Sequence, residues 1–242
     1  MNFQRQNFLS SMPPVVKAIF IANVTLFILA YVSPYIDTNF PIYSFKSEHF
    51  RPFQFITHMF MHGGFAHIFF NMFALIMFGS VLENYWGSQR FFIYYFVTGI
   101  GAALLHLLVI NIQINNLVSQ VSLEDLDYII KNGYEVLQAQ KNYLEIYGDL
   151  NLLINTPTVG ASGAVYGLLL AFAIFFPNVP LYPLYIYFIP IPVKAKYVVL
   201  FLAVIELSLG FANKSGDNIA HFAHLGGMVF GLAMIYLWKK RQ

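Results

Sequence analysis

Apolar residues in this chain come in long blocks with no polar residue recurring at a helical or strand spacing, the pattern of helices that are hydrophobic on every side. Blocks of about 17 to 25 such residues are long enough to cross a bilayer as a helix. Six qualify, at roughly residues 15–34, 63–83, 91–110, 159–177, 197–212 and 219–238. The prediction is an all-α membrane protein with six transmembrane helices and one membrane domain over 1–242, its core at about 53–238. The fifth block carries Glu206, and the Pro-rich stretch from Pro177 to Pro192 before it suits a re-entrant or interfacial segment. No small-residue cleavage site follows the first block, so it reads as a retained anchor.

The longest polar segment, about 111–157, lies between the third and fourth blocks as an outer insertion. Ser122 followed by Leu123, Glu124 and Asp125 has the form of a helix start, a capping hydroxyl with acids in the first turn. Leu126, Ile129, Ile130, Tyr134 and Leu137 then recur at near-helical spacing. One or two amphipathic helices resting on the bilayer are expected there.

Composition sharpens the picture. The 242 residues are 58% hydrophobic and only 10% charged, against about 25% charged in an average soluble chain. Membrane lipid is therefore the partner of much of the surface. The net charge of +2 is small and its basic residues are scattered, which leaves no nucleic-acid footprint. The absence of Cys excludes disulfides, thiolate metal sites and a cysteine nucleophile. Arg5, Lys17, Arg90, Lys194, Lys196, Lys239, Lys240 and Arg241 fall on one side if both termini are inside. The positive-inside rule then puts the termini in the cytoplasm, and a bacterial plasma membrane suits that arrangement.

Hydrogen-bonding side chains inside a span cost free energy unless partnered, so each is a candidate for function. They gather in three places. His58, His62, His67 and Asn71 lead into the second block, with His67 and Asn71 four apart on one helix face. Gly160, Ser162, Gly163, Tyr166 and Gly167 start the fourth, and His221, His224, Gly227 and Gly231 start the sixth. Alternate spans run the same way, so all three groups lie at one depth near the outer face. Small residues four apart, Gly163 with Gly167 and Gly227 with Gly231, let helix backbones approach closely. A lone membrane Ser or His is usually structural. Together, these residues fit a nucleophile, Ser162, and a general base, His224, with His67 and Asn71 donating to an oxyanion. No acid is placed to orient His224, and Tyr166, four residues after Ser162, is positioned to hold its ring by stacking. His221 and Glu206 remain without a role, Glu206 being expected to form a buried hydrogen bond to another helix. A zinc site is a weaker reading of His58-x-x-x-His62 and His221-x-x-His224, because the His-Glu-x-x-His pattern of zinc proteases is absent. A transporter would show paired broken helices, which the chain lacks.

Four motifs taken together resemble the rhomboid family of intramembrane serine proteases. They are His62-Gly63-Gly64 with His67 and Asn71, Glu83-x-x-x-Gly87-x-x-Arg90, Gly160-x-Ser162-Gly163, and Ala223-His224-x-x-Gly227-x-x-x-Gly231. The resemblance implies a six-helix bundle with Ser162 as nucleophile, His224 as base and His67 with Asn71 at the oxyanion hole. It further implies cleavage of membrane-anchored substrates near the outer membrane face, with single-span transmembrane proteins as partners and with neither metal nor other cofactor. Where many relatives carry Trp-Arg before the second span, this chain has Phe53-Gln54, and its 111–157 segment is longer than the loop of compact relatives. A catalytically silent relative that binds transmembrane segments is the alternative.

Overall fold

The computed structural model describes residues 8–182, 192–212 and 221–240. Arg5, Arg241 and the central part of the Pro-rich stretch, on which parts of the topology expectation rest, lie outside them. A two-stranded antiparallel pair forms between β1 (Pro180–Leu181), inside that stretch, and β2 (Val193–Lys194), just after it.

Helix α1 (Pro14–Val32) starts with Pro at its first position and is followed by α2 (Pro34–Asn39), whose N-cap is the Ser33 side chain. Most of α1 faces outward; only Val16, Ile19 and Asn23 are buried along it. A long segment, tied down by the short helix α3 (Gln54–Thr57), leads to α4 (Phe65–Ala74). That helix passes through five residues of π-helix, Leu75–Gly79, into α5 (Ser80–Trp86), forming a single span over Phe65–Trp86. After Gly87, at φ +81°, comes α6 (Ser88–Val118). Then follow α7 (Leu123–Gln138), α8 (Glu145–Asn155), α9 (Ser162–Phe175), α10 (Ala195–Ala212) and α11 (His221–Lys239).

Among the described residues, five helical spans are long and apolar enough to cross a membrane: α1, Phe65–Trp86, α6, α10 and α11. The fourth predicted block falls short of that, because its helix has only 14 residues and a rise of about 21 Å. Two local causes shorten it. Gly160, at φ +126°, holds the chain out of the helix until Ser162. At the other end, Pro177 disfavours helical geometry in Phe176, which sits at φ −127° and ψ 52°. The short helix is nonetheless central: nine of its 14 residues are buried, as against three of 19 in α1. Its main packing partners are α6 and α11, with Thr98 of α6 against Gly167, Ala102 against Gly163, and the Tyr94 hydroxyl donating to the Gly167 carbonyl at 2.9 Å.

Helix α6 runs eight residues past the predicted end, because the insertion packs on that extension. The insertion contains two helices. Ser122 caps α7 as expected, accepting the Asp125 N–H at 3.0 Å. Part of their apolar surface packs against the end of α6, while Leu123 and Tyr128 remain exposed. Ile129, Leu150 and Ile154 are buried together with Ile114 of α6, with Leu126 and Ile130 at the margin of this second core. Buried Asn151 and Asn155 tie α8 to α7 by donating to the Gly133 and Ile129 carbonyls.

Glu83 anchors α1 to the bundle. Its carboxylate accepts the N–H groups of Val15 at 3.0 Å and Val16 at 2.8 Å, and the Ser88 hydroxyl at 2.6 Å. These amides belong to the first turn of α1, where N–H groups lack intrahelical acceptors and negative charge is favoured. Arg90, three residues after Gly87, stacks its guanidinium 5.9 Å from the Trp238 ring centroid near the end of α11. Glu83→Ala is expected to lower stability by about 2 kcal/mol, since a buried charged acceptor and two amide partners are lost at once. Thermal unfolding in detergent checks this; an unchanged midpoint would show that α1 is held by packing alone.

Gln54 does a similar service before the second span. It is fully buried, accepts the Arg51 N–H, and donates to the Asn39 and His49 carbonyls at 3.0 and 2.8 Å. The loop that departs from the Trp-Arg pattern is thus pinned by an amide that meets three backbone groups. Phe53 beside it is half exposed and packs edge-on to Phe40.

Candidate active site

The turn before α9 is fixed on three sides. Ile42 and Thr158 exchange backbone hydrogen bonds at 3.0 and 2.8 Å. The Thr158 hydroxyl meets His106 Nε2 of α6 at 3.1 Å, and the Gly160 N–H donates to the His58 carbonyl at 2.9 Å. His58 is itself buried, with Nδ1 2.7 Å from the Gln54 carbonyl, and burial pushes its pKa down to about 4, so it is a neutral strut. Neither His106 nor His58 carries a sequence signal for this, because Thr158 and Gly160 lie far along the chain from them.

Ser162 follows as the first residue of α9. By helix geometry, the amides of Ser162, Gly163 and Ala164 have no intrahelical acceptor and carry the positive end of the helix dipole. Gly160 is needed just upstream for two reasons. Its φ of +126° strains any other residue, and a Cβ there would lie 2.8 Å from His67 Nε2. The same hypothetical Cβ lies 3.5 Å from Ser162 Oγ, so His67 Nε2 and the hydroxyl flank one small space over Gly160.

His67 stands on the first turn of α4. Its Nδ1 faces the Gly63 N–H at 3.4 Å, an arrangement in which Nδ1 accepts and Nε2 carries the proton. Asn71, one turn on and buried, uses one amide hydrogen on the His67 carbonyl at 3.0 Å. A second amide hydrogen remains. The His62 ring packs edge-on to His67 at 5.0 Å, and neither of its nitrogens meets a partner among the described residues. Burial, with His67 beside it, pushes His62 down to about 3.

Helix α11 brings His224 to Ser162 by close backbone contact. A Cβ on Gly227 would lie 1.8 Å from the Gly163 carbonyl oxygen, so these two glycines are where α9 and α11 touch. Gly167 and Gly231 serve a different approach from the one the paired spacing suggests: they face Thr98 and Tyr94 of α6. His224 Nε2 lies 2.9 Å from Ser162 Oγ. Tyr166 stacks on the His224 ring, with centroids 4.2 Å apart and planes 7° from parallel.

Glu206 corrects the expectation that no acid orients His224. It projects from α10, is buried, and points its carboxylate at both histidines of α11. Oε1 lies 3.0 Å from His224 Nδ1, at ion-pair range though not in line with the ring N–H, and Oε2 lies 2.6 Å from His221 Nδ1. The Tyr166 hydroxyl donates to Oε1 as well. Sequence reading misses this cluster because 15 residues separate Glu206 from His221, with no helical register linking them. The one signal was the cost of a carboxylate in an apolar span.

Glu206, His221 and His224 bring their ligand atoms within 4.8 Å of one another, a grouping that suits a cation by residue type. The spacing suits protons better. Two ligands of a tetrahedral zinc are about 3.3 Å apart when each bond is ~2.0–2.1 Å, whereas the carboxylate oxygens here sit 2.6 and 3.0 Å from the ring nitrogens. His58 stands apart from this grouping, on the Gln54 carbonyl.

The described residues thus define a multi-pass helical membrane protein that holds a serine and a histidine in hydrogen-bond contact inside its bundle. Residues 49–241 match the Rhomboid domain, and the chain belongs to the rhomboid family. It is similar to RHOMBOID-like protein 12, mitochondrial, of Arabidopsis thaliana, at 28% identity over 220 residues covering 88% of this chain and 55% of the plant protein. The chain spans about half the length of that relative.

Proposed function

We propose that this protein is an intramembrane serine endopeptidase that cleaves single-span membrane proteins near the outer membrane face. The 2.9 Å contact between His224 Nε2 and Ser162 Oγ carries the reading. In this reaction His224 takes the Ser162 proton as Oγ attacks the scissile carbonyl carbon, and the carbonyl becomes an oxyanion. His67 Nε2–H, the free Asn71 amide hydrogen and the first amides of α9 are the donors that meet it. The oxyanion collapses, the C–N bond breaks, and His224 returns the proton to the leaving amine. Water then gives its proton to His224 while its oxygen attacks the acyl-Ser162 ester, and the released Ser162 oxygen takes that proton back.

The setting fits hydrolysis within a bilayer. Helix α9 is too short to span alone and lies inside the bundle, so it forms the central, fourth crossing with its N-terminus below the surface. A substrate helix must present extended backbone to reach Ser162 there. Both termini lie on the side richer in basic residues, as the flanking Lys17, Arg90, Lys194, Lys196, Lys239 and Lys240 favour.

The test is cleavage of a single-span model substrate in detergent or liposomes by wild type, Ser162→Ala and His224→Ala, each with and without chelator. Loss of cleavage in both variants, with wild-type cleavage indifferent to chelator, supports the dyad. Cleavage that survives Ser162→Ala refutes it, and substrate binding without cleavage by wild type favours a silent relative that holds transmembrane segments. Asn71→Ala is expected to lower turnover by about 10- to 1000-fold, the effect of removing one oxyanion donor. Unchanged turnover would reassign Asn71 to packing.

A further inference from the structure

We propose that Glu206 is the third member of the catalytic array, a positioning residue that sets the His224 tautomer and ring orientation and stabilises its protonated form. This rests on the reading of Ser162 and His224 as nucleophile and base. It would make the site a triad whose acid comes from a separate helix, α10.

The argument begins with donors and acceptors. An ionised carboxylate only accepts hydrogen bonds. Three groups converge on Glu206: the Tyr166 hydroxyl and His224 Nδ1 at Oε1, and His221 Nδ1 at Oε2. The Tyr166 hydroxyl and His221 Nδ1 therefore donate, and His224 Nδ1, 3.0 Å from Oε1 though not aligned with it, faces an acceptor that favours the proton on that nitrogen. A neutral imidazole with its proton on Nδ1 has a bare Nε2. In His224, that bare nitrogen is the atom 2.9 Å from Ser162 Oγ, as a base requires. With an apolar residue at 206, nothing else described would hold the Nδ1 proton in place, and the opposite tautomer would point an N–H at the nucleophile.

The carboxylate is itself held. His221, one turn before His224 and buried, takes one oxygen, while Tyr166 takes the other and also stacks on the His224 ring. Tyr166 therefore fixes the plane of the base and the acid behind it. Titratable groups around His224 come from every neighbouring helix: Tyr166 of α9, Glu206 of α10, His221 of α11, His67 of α4 and His106 of α6. Glu206 alone among them is an acid. When His224 takes the Ser162 proton, the new positive charge appears 3.0 Å from Oε1. Catalytic hydrogen bonds are often imperfectly aligned in this way and tighten in the transition state.

A purely structural tie between α10 and α11 is the competing account, and Glu206→Gln separates the two. The amide keeps the size and one acceptor but loses the charge. Expected is a fall in kcat of about 10²- to 10⁴-fold, as when an amide replaces the acid of a serine-protease triad. KM should stay within about threefold, because substrate binding is untouched. Labelling of Ser162 by a fluorophosphonate should slow in parallel, and Glu206→Asp should recover part of the loss. A Glu206→Gln protein with wild-type kcat would overturn the proposal, as would a loss explained by a raised KM alone at a normal labelling rate. Should the variant not fold, ¹⁵N-histidine NMR of the unsubstituted protein decides: a proton on His224 Nδ1 agrees, and one on Nε2 refutes. Ser162→Ala, run alongside, keeps the two readings apart. Cleavage surviving in that variant would defeat the protease reading, whereas cleavage lost there but intact in Glu206→Gln would defeat only the role of Glu206.

Discussion

Ser162→Ala and His224→Ala should each lower kcat by at least about 10⁴-fold, and the double variant should be no worse than either alone. The two side chains act as one unit across their 2.9 Å contact. Without Oγ there is no attacking atom, and without Nε2 nothing accepts its proton, so the second loss removes nothing that the first left working. Residual catalysis would come from the oxyanion donors, which neither substitution touches. Single-turnover cleavage of a model substrate by the three variants measures this. Effects that multiply would mean that the residues contribute independently, which the geometry does not allow for a nucleophile and its base.

Gly227→Ala is the second large effect, and it acts entirely through backbone spacing. The added methyl would sit 1.8 Å from the Gly163 carbonyl oxygen, with the Gly163 carbonyl carbon at 2.8 Å, and neither atom can rotate aside. Relief requires α9 and α11 to part by more than 1 Å at the level of Ser162 and His224. Misplacement of that size in a reacting pair costs about 10²-fold in rate, and the unfolding midpoint should fall as well. Gly64→Ala is the matched control. No atom lies within 4 Å of a Cβ there, and its backbone is extended rather than left-handed, so both activity and midpoint should stay near wild type. Equal behaviour of the two variants would show that the helix contact is more compliant than the structure implies.

The residues that were legible in sequence are those whose partners share a helix or stand beside an unusual glycine. His67 and Asn71 announce a common face by their spacing of four, and Ser162 lies between Gly160 and Gly163. The helices themselves were legible from apolar length, except where local chemistry cut one short: Gly160 delays α9 and Pro177 ends it. The insertion's first helix was readable from the Ser122 cap, but the destination of its apolar face was not. Ile129 meets Ile114 and Leu150, residues 15 and 21 positions away, and nothing in the amphipathic pattern distinguishes a neighbouring helix from lipid. The same limit hid the acid. Glu206 looked costly, yet its three partners lie on two other helices, and only their packing shows that the cost is offset by donors.

The Glu83 clamp also imposes an order on biosynthesis. Its acceptors close the first turn of α1 across 67 and 68 residues of chain. At about 5 to 20 residues per second, the carboxylate emerges some 3 to 14 seconds after the amides that it will satisfy. During that interval the leading helix can occupy the bilayer, but it has no fixed seat. Docking of α1 must therefore wait for the second span to be made, and a chain stalled before Glu83 would present an unanchored helix for quality-control factors to recognise.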